Sequence, residues 1–518
     1  MAMDLPRIPI KNPVGIAMDP NPTDLPPTVW SGGKNISFRN GKVRRVQGHS
    51  RVFSPTITPP TYLYPYLNQN VPSWFQCSYN NIYVTPGLVW EDVSRTGDPY
   101  NASTEYPWNG CFLNGLVVLN NGFDVPQMLS PNSNKFSDLA NWPSSYRSKI
   151  VRSFKNYLVA LNITANSVHQ PTTVKWSSPA DPGEAPSKWT TADPTSEAGE
   201  AFLADTPGAI VDGINLRDSL IVYKEDSVYS MRHIGGVYVF QFQKLFDDVG
   251  MLAPNCAVEF DGKHFVVGQG DVYVHNGVQK SSVIEGKMKE YLFNAIRAAG
   301  AKSVFVVPDY KNSEMWICFQ SSSGSAEEGF CDQALIWNWT EDHWTVRDLP
   351  NVICGTVGIV DPRAPDNWEG DNNDWNSDAT VWGSDSYNPS STKIVFGSAV
   401  NEAIYLIGDN TTFDGEYFDS YIEKTDIYMD DDLNLKSLNS VTPHVSGEGP
   451  CSVRVGSSNT PDGPVRWDDE RSFNIGVSHK VDSRTNGRYI AVRFNFNSAL
   501  EWVFNGYTLE FVANVGKR

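Results

Sequence analysis

The sequence predicts an all-β protein, and three observations predict it. Short runs of Val, Ile, Tyr, Phe and Trp recur along the chain between Gly, Asn, Asp and Pro residues, the pattern of strands separated by turns. Helical periodicity is almost absent. The strand runs also come in groups that end on turn-and-tryptophan signals, as in DSLIVYKEDSVYSMRHIGG (218–236), GDVYVHNGVQ (270–279), ALIWNWTEDHWTVRDLP (334–350) and EAIYLIGDNTTFDG (402–415). Radial repetition of small antiparallel sheets accounts for such groups. The expected architecture is therefore a β-propeller-like body, with a pair of packed sheets as the competing arrangement.

Along the chain, residues 1–30 read as an N-terminal arm, 31–424 as the propeller-like body and 425–518 as a C-terminal β-sandwich domain. The body opens on SFRNGKVRRVQGHSRVF (37–53), a basic stretch without acidic residues in a chain of net charge −18. Asn40-Gly41 predicts a type I′ hairpin near the start of the first blade, pairing Arg39 with Lys42, Phe38 with Val43 and Ile36 with Arg45. That register puts Arg45 on the apolar face with Ile36, Phe38 and Val43, where an unpaired charge is costly. Either a bulge at Arg44-Arg45 turns the guanidinium outward or a distant carboxylate receives it. Arg39 and Lys42, like charges placed opposite each other, also call for acceptors. Salt bridges between blades or chains are the favoured role for the hairpin, ahead of a DNA-facing one.

Two long insertions interrupt the body, at about 176–201 and 361–391, both dense in Pro, Ser, Gly and acids but carrying tryptophans that imply ordered contacts. Between them, Asp261-Gly262 and Asn276-Gly277 are two-residue hairpin signals flanking strands at 264–267 and 272–275. One short helix is expected over 286–299, where Met288, Leu292 and Ile296 form a stripe packed on a sheet. Farther on, a strand, a polar turn and a second strand bring Trp337 or Trp339 near Trp344. In the C-terminal domain, alternation places Ile490, Val492, Phe494 and Phe496 on one buried face.

Composition narrows the function. With 40% hydrophobic and 19% charged residues the chain is folded rather than disordered. Seven scattered cysteines without a C-x-x-C spacing imply neither a disulfide framework nor a zinc cluster, and free thiols suit a reducing cytoplasm. No apolar run is long enough to span a bilayer, and MAMDLPRIPIKNPVG lacks the apolar core of a signal peptide. Acidic charge argues against wrapping nucleic acid, yet it suits a wall past which DNA slides without sticking.

No nucleotide-binding loop or nucleophile elbow occurs. The nearest approach to a sialidase-type turn box, TPDGPVRW (460–467), occurs once and has Asp462 directly against Gly463. Asp374, Asn376, Asp378 and Asp385 stand at the first, third, fifth and twelfth positions of a calcium-type loop. Ala379 replaces its glycine and Asp385 its bidentate Glu, so a solvated Asx-rich turn is preferred. Asp430-Asp431-Asp432 likewise reads as a solvated run. No catalytic residue and no cofactor is expected.

Several segments, in order, resemble the tail hub or nozzle proteins of short-tailed bacteriophages, including the packaged-DNA stabilisation proteins. They are SFRNGKVRRVQGHSRV, VKWSSPADPGEAPSKW, INLRDSLIVYKEDSVYSMRHIGG, DDVGMLAPNCAVEFDGKHFVVGQGDVYVHNGVQ and the ending NGRYIAVRFNF…NGYTLEF. The resemblance implies a structural virion protein made in the host bacterial cytoplasm, with a propeller-like body. It implies a homohexameric tube joined to a tail adaptor, bearing fibre or needle proteins, that retains packaged DNA and conducts it during ejection. Lys34, Arg39, Lys42, Arg44, Arg45 and Arg51 are then candidate assembly or channel residues. The rival reading is a carbohydrate-binding or polysaccharide-depolymerising propeller, which would need facing carboxylates and stacked aromatics.

Overall fold

Strand runs separated by turns resolve into nine antiparallel sheets in the computed structural model. It describes residues 6–513 except 54, 69–70, 86–88, 192–194, 237, 325–328, 361–391, 409, 430–432 and 499. Seven sheets have four strands each and follow one another along the chain. We number them blade 1 (62–92), blade 2 (109–138), blade 3 (146–202), blade 4 (210–246), blade 5 (257–282), blade 6 (305–352) and blade 7 (354–407). From blade 2 to blade 7 the first strands of neighbours pack side by side, and the first strand of blade 7 packs on that of blade 1. Blades 1 and 2 share a cluster around Phe75, Cys77, Val117 and Leu119. The blades thus close a ring, and the body is a seven-bladed β-propeller.

Blade strands lie between neighbouring sheets, which explains their continuous apolar runs. Tyr157–Ala165 in blade 3 is buried at all but one position, so both of its faces are covered and simple alternation is lost. Blade 7 takes its outermost strand, His49–Arg51, from the far N-terminal side of the ring, with Ser50 opposite Leu406. That strand clasps the start of the ring to its end without a covalent bond.

The two remaining sheets have six strands each and pack face to face. One contains Ile36–Arg39, Lys42–Arg45, Trp502–Ala513, Lys436–Gly447 and Val481–Gly487, with Arg7–Lys11 added on Trp502–Ala513. The other contains Gly32–Lys34, Ser420–Ile427, Tyr489–Phe496, Pro450–Ser458 and Arg466–Trp467, with Arg471–Asn474 on Pro450–Ser458. Ile490, Val492, Phe494 and Phe496 are fully buried between them, as alternation required. Trp30 inserts into the same core with its ring 5.7 Å from Phe504.

Pairing therefore places residues 7–45 with the sandwich rather than in a free arm followed by a first blade. The hairpin at residues 36–45 pairs with Trp502–Ala513, and the sandwich strand Ser420–Ile427 starts before residue 425. The reason is that a strand's edge can be covered by any complementary strand, however distant in sequence.

Two local expectations also change. The helix is confined to Lys289–Ala295, because Ile296 leaves it to bridge Ser321 and the Arg297 N–H donates to the Gln320 carbonyl at 2.9 Å. Met288 and Leu292 are fully buried as expected, and Ile296 packs at the margin of the same core. Asp261-Gly262 forms its two-residue turn, with φ of 47° and 68°. The Asn276 turn is longer, since Asn276 Oδ1 accepts N–H bonds from Val278 and Gln279 (3.0 and 2.9 Å) and holds a four-residue loop. Among the described residues no helix is long and apolar enough to cross a membrane.

Candidate functional site

The basic hairpin has the expected register. Ile36 faces Arg45, Phe38 faces Val43 and Arg39 faces Lys42, across Asn40 and Gly41 at φ 52° and 67°. It lies at the seam between sandwich and blade 6. Arg39 donates to Glu314 Oε1 at 3.1 Å, and the Lys34 ammonium stands 2.7 Å from Asp348. Asn35 reinforces the seam by donating to Asp348 Oδ2 (2.9 Å) and the Asp419 carbonyl (2.8 Å). Burial pushes the Glu314 carboxyl above the ordinary range, against the pull of Arg39. Arg51, on the ring-closing strand, pairs with Asp414 at 2.8 Å. Lys42 and Arg44 remain exposed.

Arg45 does neither of the two things expected of it. Its strand has no bulge, and no carboxylate among the described residues receives its charge. Nη1 donates instead to the Ser498 carbonyl, and the guanidinium lies 4.0 Å over the Phe418 ring. Nε and Nη2 are buried without partners among the described residues, and burial lowers the pKa of Arg45. No local pattern foreshadows either contact, since Phe418 and Ser498 lie hundreds of residues downstream. Asp374, Asn376, Asp378 and Asp385, like Asp430–Asp432, lie outside the described residues.

A second concentration of polar chemistry, missed in the sequence, lines the propeller axis. The first strand of every blade contributes to a cavity of about 630 Å³. In its wall an ion pair joins Arg152 of blade 3 to the fully buried Asp212 of neighbouring blade 4, with Arg152 Nε and Nη2 each 2.9 Å from a carboxylate oxygen. Asp212 also accepts the Asn255 N–H at 3.1 Å, which ties in the segment leading to blade 5. Asp212 is the sole carboxylate among the described lining residues.

Blades 4 and 5 are joined by a buried chain of hydrogen bonds. His264 Nε2 lies 2.9 Å from the Asn215 carbonyl, so it carries the proton and Nδ1 accepts from the Tyr223 hydroxyl at 2.6 Å. The Tyr223 oxygen is then free to accept from His275 Nε2 at 2.6 Å, and His275 Nδ1 accepts the Gly277 N–H at 3.2 Å. Every donor and acceptor is used with both imidazoles neutral. Burial holds His264 down to about 4. It holds His275 down to about 3, with the neighbouring His264 adding to the effect.

The chain is similar in structure to the N-terminal domain of Nup159, at 10% identity and a TM-score of 0.37 over 72% of this chain and 98% of that one. It is similar at the same level to a chain of the mitotic checkpoint complex, at 9% identity and a TM-score of 0.38 over 69% of this chain and 98% of that one. No family model and no curated protein sequence matches it.

Proposed function

We propose that the chain is the tail nozzle or hub subunit of a short-tailed bacteriophage, assembling as a homohexameric ring that extends the portal–adaptor channel, retains DNA and conducts it during ejection. The observation that carries this reading is the order of the segments resembling that family, each of which falls on a distinct unit of the fold. The basic hairpin spans the seam, VKWSSPADPGEAPSKW leads from the third to the fourth strand of blade 3, and INLRDSLIVYKEDSVYSMRHIGG forms most of blade 4. DDVG through NGVQ covers three of the four strands of blade 5, and NGRYIAVRFNF with NGYTLEF supplies two central strands of the sandwich.

Charge supports the same reading. Lys34, Arg39 and Arg51 are paired with carboxylates of the same chain, so half of the six basic residues are already engaged within it, and the net charge of −18 disfavours tight binding of DNA phosphates. The propeller axis encloses only a cavity of about 630 Å³, so the DNA path would run between subunits of the ring rather than through one propeller. A ring of identical subunits needs heterologous, closing interfaces. Mass measurement and negative-stain imaging of the purified chain with its adaptor are expected to show rings of six subunits. A chain that stays monomeric at high concentration and forms no ring in virions would overturn the proposal.

A further inference from the structure

Polar groups inside a folded chain are almost always hydrogen-bonded, and those that are not call for an explanation. Two such groups stand on the propeller axis. Tyr62 and Tyr64 lie two residues apart on the first strand of blade 1, so both project from one face of it. Their rings pack on the cluster around Phe75 and Cys77 that blades 1 and 2 share, and stack on each other with centroids 6.5 Å apart. Both residues line the axial cavity of about 630 Å³. Neither hydroxyl has a hydrogen-bond partner among the described residues, and neither oxygen is closed off from solvent, so both tips open on the cavity. Burial raises the pKa of both hydroxyls, against the pull of Arg152, so each keeps its proton as a donor.

The rest of the wall continues this chemistry. Loops entering the first strands of blades 2, 5 and 6 bring Thr104, Asn255 and Lys302 to the cavity, and all three are exposed, which places them at its mouth. Asn255 Oδ1 receives a 3.5 Å contact from Arg152 Nη2, while its Nδ2 donates to nothing among the described residues. Charge is met unevenly. Arg152 and Asp212 neutralise each other, whereas the Lys302 ammonium has no carboxylate partner among the described residues. In a chain of net charge −18, the described lining of this cavity therefore carries two cations and one carboxylate.

We propose that the axial cavity binds a small hydroxyl-rich carboxylic acid, of the sugar-acid class. Hydroxyls and amides both donate and accept, so a wall offering Tyr62, Tyr64, Thr104 and Asn255 is matched by a ligand that carries many hydroxyls of its own. Lys302 adds the preference for one negative charge, and Asp212, held by Arg152, is already neutralised and repels it little. A nucleic-acid strand, with a charge at every nucleotide, is not answered by one free lysine. The volume lies within the roughly 300–1,000 Å³ of small-molecule sites. The site is independent of the nozzle reading, since it needs only the single chain.

The test is thermal unfolding and calorimetric titration of the full chain with glucuronate, with glucose, which lacks the carboxylate, and with acetate, which lacks the hydroxyls, all at equal ionic strength. Glucuronate is expected to give a saturable rise in midpoint, as a ligand of the folded state must. Glucose is expected to bind roughly tenfold more weakly, the loss of one charge-assisted hydrogen bond, and acetate to give no rise. Tyr62→Phe with Tyr64→Phe removes two hydroxyls that bond to nothing in the chain. The pair is expected to leave the midpoint without ligand unchanged and to weaken glucuronate binding at least roughly tenfold. Lys302→Met is expected to bring glucuronate down to the level of glucose. A midpoint that responds to glucuronate no more than to acetate overturns the proposal. So does a wild-type titration in the paired tyrosine variant, or a preference for glucuronate over glucose that survives Lys302→Met.

Discussion

His264 and His275 hold opposite ends of one hydroxyl, and neither can take a proton without breaking a bond. Protonating His264 Nδ1 sets two donors against each other at Tyr223, and protonating His275 Nδ1 does the same at the Gly277 N–H. Their folded pKa values, about 4 and about 3, lie below the ordinary 6.5, so the unfolded chain binds protons that the native state refuses. Stability from this pair is therefore complete above about pH 6.5 and lost as pH falls from there, toward 4 for His264 and toward 3 for His275. Urea unfolding at pH 7 and pH 5 should differ by up to about 1.4 kcal/mol per histidine per pH unit, and His275→Gln should flatten the dependence. Asp212 is held by Arg152 and by the Asn255 N–H. Arg152→Met strands its carboxylate at 0% exposure and is expected to cost about 3–5 kcal/mol in the same urea measurement. Adding Asp212→Asn should recover part of that loss in a double-mutant cycle. None of these partnerships is legible in the sequence, because Arg152 and Asp212, or Tyr223 and His275, are ordinary residues until blades bring them together.

At the scale of elements, the hairpin at residues 36–45 was fully legible because a two-residue turn dictates the pairing of everything beyond it. Gly41 sits at φ 67°, and a Cβ there would meet Asn12 Cβ at 3.4 Å. Gly41→Ala is expected to destabilise the protein by about 1–2 kcal/mol in chemical denaturation, while an exposed Lys42→Ala stays near neutral. Blade 6 was equally readable, since Trp337 and Trp344 face each other across their turn with rings 6.1 Å apart. In the described part of insertion 176–201 the tryptophans make ordered contacts as expected: Trp189 is buried 4.7 Å from Trp142, and Trp176 donates to the Glu197 carbonyl. The helix was over-extended because periodicity continues through Ile296 while a bridge to Ser321 claims that residue's backbone. Tertiary pairing overrode a local pattern there.

For the whole molecule, strand identity was legible and strand partnership was not. Alternation shows which face of residues 489–496 is buried, but not that strands from residues 7–45 complete those sheets, nor that residues 49–51 finish blade 7. Two modules that share one N-terminal segment, with Lys424 Nζ also holding the Pro26 and Val29 carbonyls at 3.0 and 2.7 Å, are expected to unfold together. Calorimetry should give one transition. Removing residues 1–51 should abolish the near-ultraviolet signals of both modules rather than of one. The same clasp sets a timetable. Residues 49–51 leave the ribosome early, whereas their partners at 405–407, and those of the hairpin at 503–504, come near the end. Synthesis at roughly 5–20 residues per second leaves tens of seconds between them, during which blade edges stand unpaired. The nascent chain must then be shielded from its neighbours until the last strands arrive, so its yield should depend on chaperone supply and translation rate more than on its final stability.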